Sequence, residues 1–314
     1  MSKTAAPPPD VTVIVIAHNV CDEVLRCLES VERHAPPVIT EVVLVDNGSV
    51  DGTAEAVAAR FPGVEVLRLP RNEGVPARNH GLRRARGRFR MFLDSDAELT
   101  PGALETMTRA LEDDPRAGLV GPRLVYPDGG LQLSTRRYPP LMLPVLRRPP
   151  LNRFFEEGPT VRHHVMADDA HDRRRRVEYV LGACQLVRAE AQEAVGEIDE
   201  RIWYGHDDAD WCFRIRMAGW NVVYIPDAVV VHDYRRTSAS NPFSKLALRY
   251  LVAHVHFQRK WRRQRSRLVA EGRRMDEEAM AARFPRGDCR SGAQYDPAVS
   301  FAREPRKGGA DVER

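Results

Sequence analysis

The chain alternates short apolar runs with amphipathic segments. Val11-Thr12-Val13-Ile14-Val15-Ile16 is β-branched throughout and shows no polar alternation. That pattern predicts a strand buried on both faces, as in a parallel sheet covered by helices. Ala17-His18-Asn19 ends it. Leu25, Leu28 and Val31 then recur at helical spacing between about Cys21 and Arg33. Val42-Val43-Leu44-Val45 predicts a second buried strand, closed by the turn cluster Asp46-Asn47-Gly48-Ser49, and Asp51-Gly52-Thr53 opens a helix through Arg60. A third strand is expected from Val64 to Leu69, a helix from Val75 to Arg86, and a fourth strand from Phe89 to Leu93 that ends in Asp94. Thr100 as cap and Pro101 as first residue predict a helix to about Asp113. Ala117 to Val125 reads as a further strand. Such βαβαβ alternation predicts an α/β fold with a mostly parallel central sheet and helices on both faces. Ligands of such sheets bind outside the carboxyl ends of the strands, where Ala17, Asp46 and Asp94 stand.

The pattern breaks from Arg136 to Arg176, where Pro139, Pro140, Pro144, Pro149, Pro150 and Pro159 crowd in. This stretch reads as a long excursion, an acceptor-side loop or a lid. Regularity returns at Val177, with short helices over Ala189–Val195 and Asp208–Ala218 and strands over Val222–Ile225 and Val229–Val231. Ser244 to about Met280 is basic and helical in pattern. The remainder from Pro285 is rich in Gly, Pro and charge and is expected to be disordered. The predicted organisation is a flexible lead-in (1–10), one domain (11–243), a basic helical extension (244–284) and a tail (285–314). Within the domain, 11–125 reads as a Rossmann-like, donor-binding half, 136–176 as the excursion, and 177–243 as the acceptor and catalytic half.

Composition narrows the class. Lys and Arg number 48 against 44 Asp and Glu, so the net charge of +4 gives no argument for nucleic acid. The five cysteines are odd in number and lack CxxC spacing, which argues against a zinc site and a disulfide framework and suits a reducing cytoplasm. The first ten residues hold no apolar core of a signal peptide, and no run of eighteen apolar residues predicts a membrane span.

Several segments carry candidate chemistry. Asp94-Ser95-Asp96, after an apolar strand, is a compact oxygen cluster of the kind that holds Mg²⁺ or Mn²⁺ with substrate phosphates, although a turn or helix cap would look the same. Asp46 with its turn suits a nucleotide base or a capped helix equally. Gly74, with Arg78 four residues on, allows close backbone approach to an anion at a helix start, and also reads as a plain helix start. Trp203-Tyr204-Gly205-His206-Asp207-Asp208-Ala209-Asp210 sets three acids at a helix start, where the macrodipole favours them, beside aromatic rings on which a sugar can stack. A carboxylate here could deprotonate a hydroxyl. His232 follows a strand and is a possible third metal ligand.

In order along the chain these segments resemble the family 2 glycosyltransferases with the GT-A fold, in particular the rhamnosyltransferase-like branch of cell-envelope polysaccharide synthesis. The resemblance runs from Val11 to Ser238 through Val13–Asn19, Val43–Ser49, Asn72-Glu73-Gly74, Ala77-Arg78-Asn79 and Phe92–Asp96. It continues through Gly182-Ala183-Cys184, Asp199-Glu200-Arg201, Asp207–Asp210, Ala218-Gly219-Trp220, Ile225-Pro226 and His232. It implies an inverting transfer from a nucleoside-diphosphate sugar, with dTDP-rhamnose as the donor suggested. The acceptor implied is a hydroxyl of a saccharide or lipid-linked saccharide. By the same resemblance Ala17, Asn19, Asp46 and Arg78 surround the base, with Gly74 beside them. Asp94 and Ser95 meet the nucleotide, and Asp96 and His232 hold Mg²⁺ or Mn²⁺. Trp203 and Tyr204 face the acceptor. Asp208 is the general base, with Asp207 the alternative, because Asp207 stands where the family has Glu and His206 is an extra residue. The enzyme is expected in the cytoplasm, and its basic C-terminal helix suits equally a peripheral contact at the inner membrane face and a solvated helix packed on the body through its apolar stripe. Two rival readings remain: a non-catalytic sugar-nucleotide-binding protein, kept open by His206, and a nucleotidyltransferase, which would carry a Gly-rich basic loop where Ala17-His18-Asn19-Val20 stands.

Overall fold

The computed structural model describes residues 9–35, 38, 40–148, 151–155, 157–234 and 244–283. Nearly all of the expected N-terminal lead-in, the end of the family resemblance at Ser238 and the tail from Pro285 lie outside them. The elements follow in chain order. The first half holds β1 (Val11–Ala17), α1 (Cys21–His34), β2 (Thr40–Asp46), α2 (Thr53–Arg60), β3 (Val64–Arg68), α3 (Arg78–Arg84), β4 (Phe89–Asp94), β5 (Ala97–Leu99), α4 (Ala103–Asp113) and β6 (Ala117–Val125). Short pieces fill the excursion: β7 (Leu131–Gln132), β8 (Thr135–Arg136), α5 (Leu143–Leu146), α6 (Asn152–Phe155), α7 (Pro159–His164) and β9 (Arg175–Arg176). Then come β10 (Tyr179–Val180), β11 (Cys184–Arg188), α8 (Ala189–Val195), α9 (Asp207–Met217), β12 (Asn221–His232), α10 (Lys245–Trp261) and α11 (Arg265–Arg283).

The main sheet runs β3-β2-β1-β4-β11-β6-β12-β5. β3, β2, β1 and β4 are parallel, as the buried β-branched runs predict. β11 then enters antiparallel between β4 and β6, so the sheet is mixed beyond β4. Both faces are covered. Val11, Val13, Val15 and Leu93 pack under α1 and α4, whereas Ile14, Val43, Val45 and Phe92 pack against α3, α9 and α10. Successive strand residues point to opposite faces, which is why these runs need apolar residues at every position.

Local expectations are adjusted in four places. Thr100 does not cap α4: its hydroxyl donates to the Val229 carbonyl at 2.8 Å, and the helix starts after a left-handed Gly102. The helix expected from Val75 to Arg86 is a 3-10 turn, Val75–Ala77, followed by the shorter α3. The two strands expected between Val222 and Val231 are one twelve-residue strand, β12, with a register shift between Ile225 and Val229 that accommodates Pro226. The basic helix breaks between Trp261 and Arg265 into α10 and α11. No helix among the described residues is long and apolar enough to cross a membrane.

Candidate active site

The candidate residues meet at the carboxyl edge of the parallel strands. Ala17 and Asp46 end β1 and β2 as register partners. The Asp46 carboxylate is buried, and its Oδ1 accepts the Ser49 N–H at 3.1 Å. Asn19 adopts a left-handed φ of 55°. Its side-chain oxygen accepts the Val50 N–H at 2.8 Å, so it ties the β1 and β2 loops together. Gly74 is also left-handed. A Cβ there would lie 2.2 Å from the Trp203 carbonyl oxygen and 2.6 Å from the Trp203 ring, so a side chain would push that loop away. Trp203 is held from its other contacts as well: its carbonyl accepts the Val75 N–H at 3.0 Å, and Arg249 stacks 3.4 Å from its ring centre.

Asp94 ends β4, and Ser95 and Asp96 turn the chain into β5. β5 pairs antiparallel with the end of β12, with Ala97 opposite His232, and this register brings the imidazole beside Asp96. His232 Nε2 lies 3.4 Å from Asp96 Oδ1, and Nδ1 donates to the Gln132 amide oxygen at 2.6 Å. Ligand atoms of Asp94, Asp96 and His232 all lie within 4.8 Å of one another. This set fits a divalent cation. With the Nδ1 proton committed to Gln132, Nε2 faces Asp96; burial lowers the imidazole pKa, but the hydrogen bond and charge of Asp96 outweigh it and raise it, and a divalent cation between the two would take the place of the Nε2 proton. Two carboxylates and one imidazole suit Mn²⁺ or Mg²⁺.

Arg78 joins this cluster to the acidic helix start. Its guanidinium donates to Asp94, to Asp207 Oδ2 at 3.0 Å and to the Gly182 carbonyl at 3.2 Å, and it lies over the Phe92 ring. The Arg78 side chain is only 5% exposed. The structure therefore sets it between two carboxylates. Burial pushes both the Asp94 and Asp207 carboxyls up, and Arg78 pulls them back.

The three acids of α9 have different surroundings. Asp207 is buried against Arg78. Asp210 is fully buried: it accepts from the Trp261 indole at 2.9 Å and pairs with Lys260 and Arg214. Asp208 is half-buried and accepts only backbone N–H groups, from Ala209 at 2.7 Å and from Gly182, among the described residues. Burial, and then the neighbouring Asp207 charge, push its carboxyl up to about 7. A carboxylate so placed can take a proton near neutral pH.

His206 caps α9 in a left-handed conformation, φ 65°. Its ring stacks against Phe257 and lies beside Tyr250 and His254 of α10. His254 Nε2 must donate to the Leu141 carbonyl, 3.0 Å away, so its Nδ1 accepts from His206 Nε2 at 3.0 Å. Burial, then His254, pushes His206 down to about 3, so the pair is uncharged. His206 is thus the socket that seats α10 on α9. Gln132 was not a candidate on sequence grounds. A glutamine in a two-residue strand carries no periodic signal, and its contact with His232 spans 100 residues.

Comparisons with known proteins agree with this geometry. The Glycosyl transferase family 2 model matches residues 12–173, just over half of the chain. An N-acetylglucosaminyl-diphospho-decaprenol L-rhamnosyltransferase of Mycobacterium tuberculosis is 29% identical over 226 residues, 68% of this chain and 73% of the relative. The pre-mycofactocin glycosyltransferase of the same organism is 31% identical over 72% of this chain, which spans 43% of that protein. Among solved structures, the Pyrobaculum calidifontis mannosyltransferase PcManGT, in complex with GDP-Man and Mn²⁺, superposes with a TM-score of 0.55 at 22% identity, covering 81% of this chain and 65% of that one. GalNAc-T7 with UDP, GalNAc and Mn²⁺ superposes with a TM-score of 0.58 at 18% identity, covering 79% and 48%. These two share the GT-A fold. The chain belongs to glycosyl transferase family 2 and is a glycosyltransferase that draws on a sugar-nucleotide donor.

Proposed function

We propose that this chain transfers a sugar with inversion from a nucleoside-diphosphate sugar to a hydroxyl of a lipid-linked saccharide of the cell envelope. The observation that carries the reading is the Arg78 bridge, which ties the strand-end Asp94 of the Asp94/Asp96/His232 cluster to Asp207 and so sets Asp208 beside the donor edge. In this reading Ala17, Asn19 and Asp46 hold the base, and Asp94 and Ser95 the rest of the nucleotide. Gly74 shapes the pocket by letting Trp203 close on it. Asp96 and His232, with Asp94, would hold Mn²⁺ or Mg²⁺. When bound, such an ion supplies Lewis-acid stabilisation to the departing diphosphate. Asp208 takes the acceptor hydroxyl proton as that oxygen attacks the anomeric carbon, while Arg78 pairs with Asp207 and holds the helix start in place. General-base assistance of this kind is worth about 10²–10⁴-fold. Trp203 and Tyr204 flank the acceptor. The likeness to the mycobacterial relative, whose name specifies L-rhamnosyl transfer, favours dTDP-rhamnose as donor. Peripheral attachment at the inner membrane face through the basic C-terminal stretch belongs to the same reading.

The test is transfer by the purified chain from a panel of sugar nucleotides with Mn²⁺ or Mg²⁺, with the anomeric configuration of the product read by NMR. Inversion is expected. Retention would overturn the single-displacement mechanism, and absence of both transfer and donor hydrolysis under every metal would overturn the catalytic reading.

A further inference from the structure

α10 carries two apolar stripes, and the body of the protein uses one. Ala247, Ala253, Phe257 and Trp261 are buried. Leu248, Leu251, Val252 and Val255 lie on the other side, with Leu248 61% and Val252 57% exposed. A helix face turned to water has no need of aliphatic residues at i, i+3, i+4 and i+7.

The excursion runs along the edge of this second stripe. Arg148 donates to the Ala247 carbonyl at 2.7 Å and lies over the Tyr250 ring. His254 donates to the Leu141 carbonyl, and Gln258 to the Pro139 carbonyl at 2.7 Å. These anchors follow positions 247, 250, 254 and 258, one line along the helix. At 3.6 residues per turn, Leu251 and Val255 fall between that line and the Leu248/Val252 line. The segment anchored there brings its own exposed apolar groups, Leu141, Met142 and Phe154, the last 69% exposed.

Charge identifies the partner. Residues 136–155 and 244–270 together hold thirteen lysines and arginines and no aspartate or glutamate. Some are engaged, Arg137 by Asp276 and Lys260 by Asp199 and Asp210. Arg259, Arg262 and Arg263 have no carboxylate partner among the described residues. A second copy of this face would oppose cations with cations. Apolar side chains set among cations match an anionic membrane surface, where both contribute to binding.

We propose that the outer stripe of α10, with the exposed Leu141, Met142 and Phe154 of the excursion, forms a docking surface for an anionic lipid bilayer. The proposal rests on the peripheral-membrane reading above and replaces its diffuse basic helix with a defined face. That face borders the site, because α10 is seated on His206, two residues before Asp208. A lipid-anchored acceptor would approach the base along the membrane to which the enzyme is docked.

The test is co-sedimentation of the full chain with vesicles of phosphatidylcholine alone and of phosphatidylcholine with phosphatidylglycerol. The variants are Leu248→Glu/Val252→Glu and Phe154→Glu, at positions whose exposure lets the fold tolerate them. Binding is expected to the anionic vesicles and to fall at least ten-fold in both variants. High salt should weaken it, since each basic residue at such a surface contributes about five-fold. Transfer to a water-soluble acceptor should be unchanged in the variants. Equal binding by wild type and variants, or none by the wild type, would overturn the proposal. So would a wild-type dimer that the variants dissociate without any vesicle binding, which would make the face an interface between copies. Vesicle binding that follows the expected pattern in a chain without transferase activity would leave the docking surface standing and remove only the catalytic reading.

Discussion

Replacing Arg78 by methionine tests how the acidic helix start is held against the donor edge. Methionine keeps much of the length and the contact with Phe92 but removes the charge. Asp207, whose side chain is 8% exposed, then becomes an unpaired buried carboxylate. Asp94 is 31% exposed and loses less, because water screens it. Breaking a buried pair by removing one partner costs about 3–5 kcal/mol. With Asp207 carrying most of it, a deficit of about 4 kcal/mol is expected at pH 8. The deficit depends on pH in a fixed direction. Burial already pushes both carboxyls above their ordinary values, and the substitution removes the charge that pulls them back. A carboxyl whose folded pKa exceeds its unfolded pKa destabilises fully above the folded value and recovers as pH falls through it. The deficit should therefore shrink by ~1 kcal/mol or more between pH 8 and pH 5. Urea unfolding at the two pH values measures it, and the double variant Arg78→Met/Asp207→Asn should recover about half of the loss. A deficit under ~1 kcal/mol at pH 8, or one that does not change with pH, would show that the bridge is not what holds these residues.

Asp208→Asn should not destabilise the fold, since it removes a carboxyl that burial disfavours when ionised, and should lower kcat by about 10²–10⁴-fold. In the wild type the rate should rise with pH through about 7, where the carboxyl loses its proton, and the variant should lose that limb; a variant with full turnover would exclude Asp208 as the base. Gln132→Leu removes the acceptor of the His232 Nδ1 proton and should weaken Mn²⁺ binding, followed by titration calorimetry, by about 10–100-fold. Gly205→Ala places a Cβ 2.6 Å from the Tyr250 ring at a φ of 79° and should cost about 1–3 kcal/mol, with α10 becoming sensitive to limited proteolysis.

The strand ends were legible because buried parallel strands demand apolar residues on both faces, so the first polar residue after each run marks an edge. Asp46 and Asp94 were located this way, and His18 marked the end of β1 at Ala17. What joins the edges was not legible. His232 meets Asp96 only because β5 folds back antiparallel on β12, a register that no local pattern encodes. Arg78 read as an anion-binding side chain at a helix start. Its burial beneath Phe92 and between two carboxylates depends on β11 arriving antiparallel beside β4 and carrying Gly182 over it. The apolar positions of α10 were visible, but their division into one buried and one exposed stripe required knowing where the excursion lies.

The acidic run at α9 shows how one residue type takes three tasks from a turn of helix. Successive residues project about 100° apart, so Asp207 faces Arg78, Asp208 stays at the open side, and Asp210 points back to Lys260 and Trp261. The non-catalytic reading rests on His206, since an extra residue beside the acidic run could misplace its carboxylates. Its left-handed turn and its stacking on α10 fix it in place. His206 stands directly ahead of α9, and α10 grips both Asp210 and His206. The acidic start of α9 and the C-terminal helix are therefore one mechanical unit, and loosening α10 should disturb Asp208 before it disturbs Asp46 and Asp94, which end their own strands.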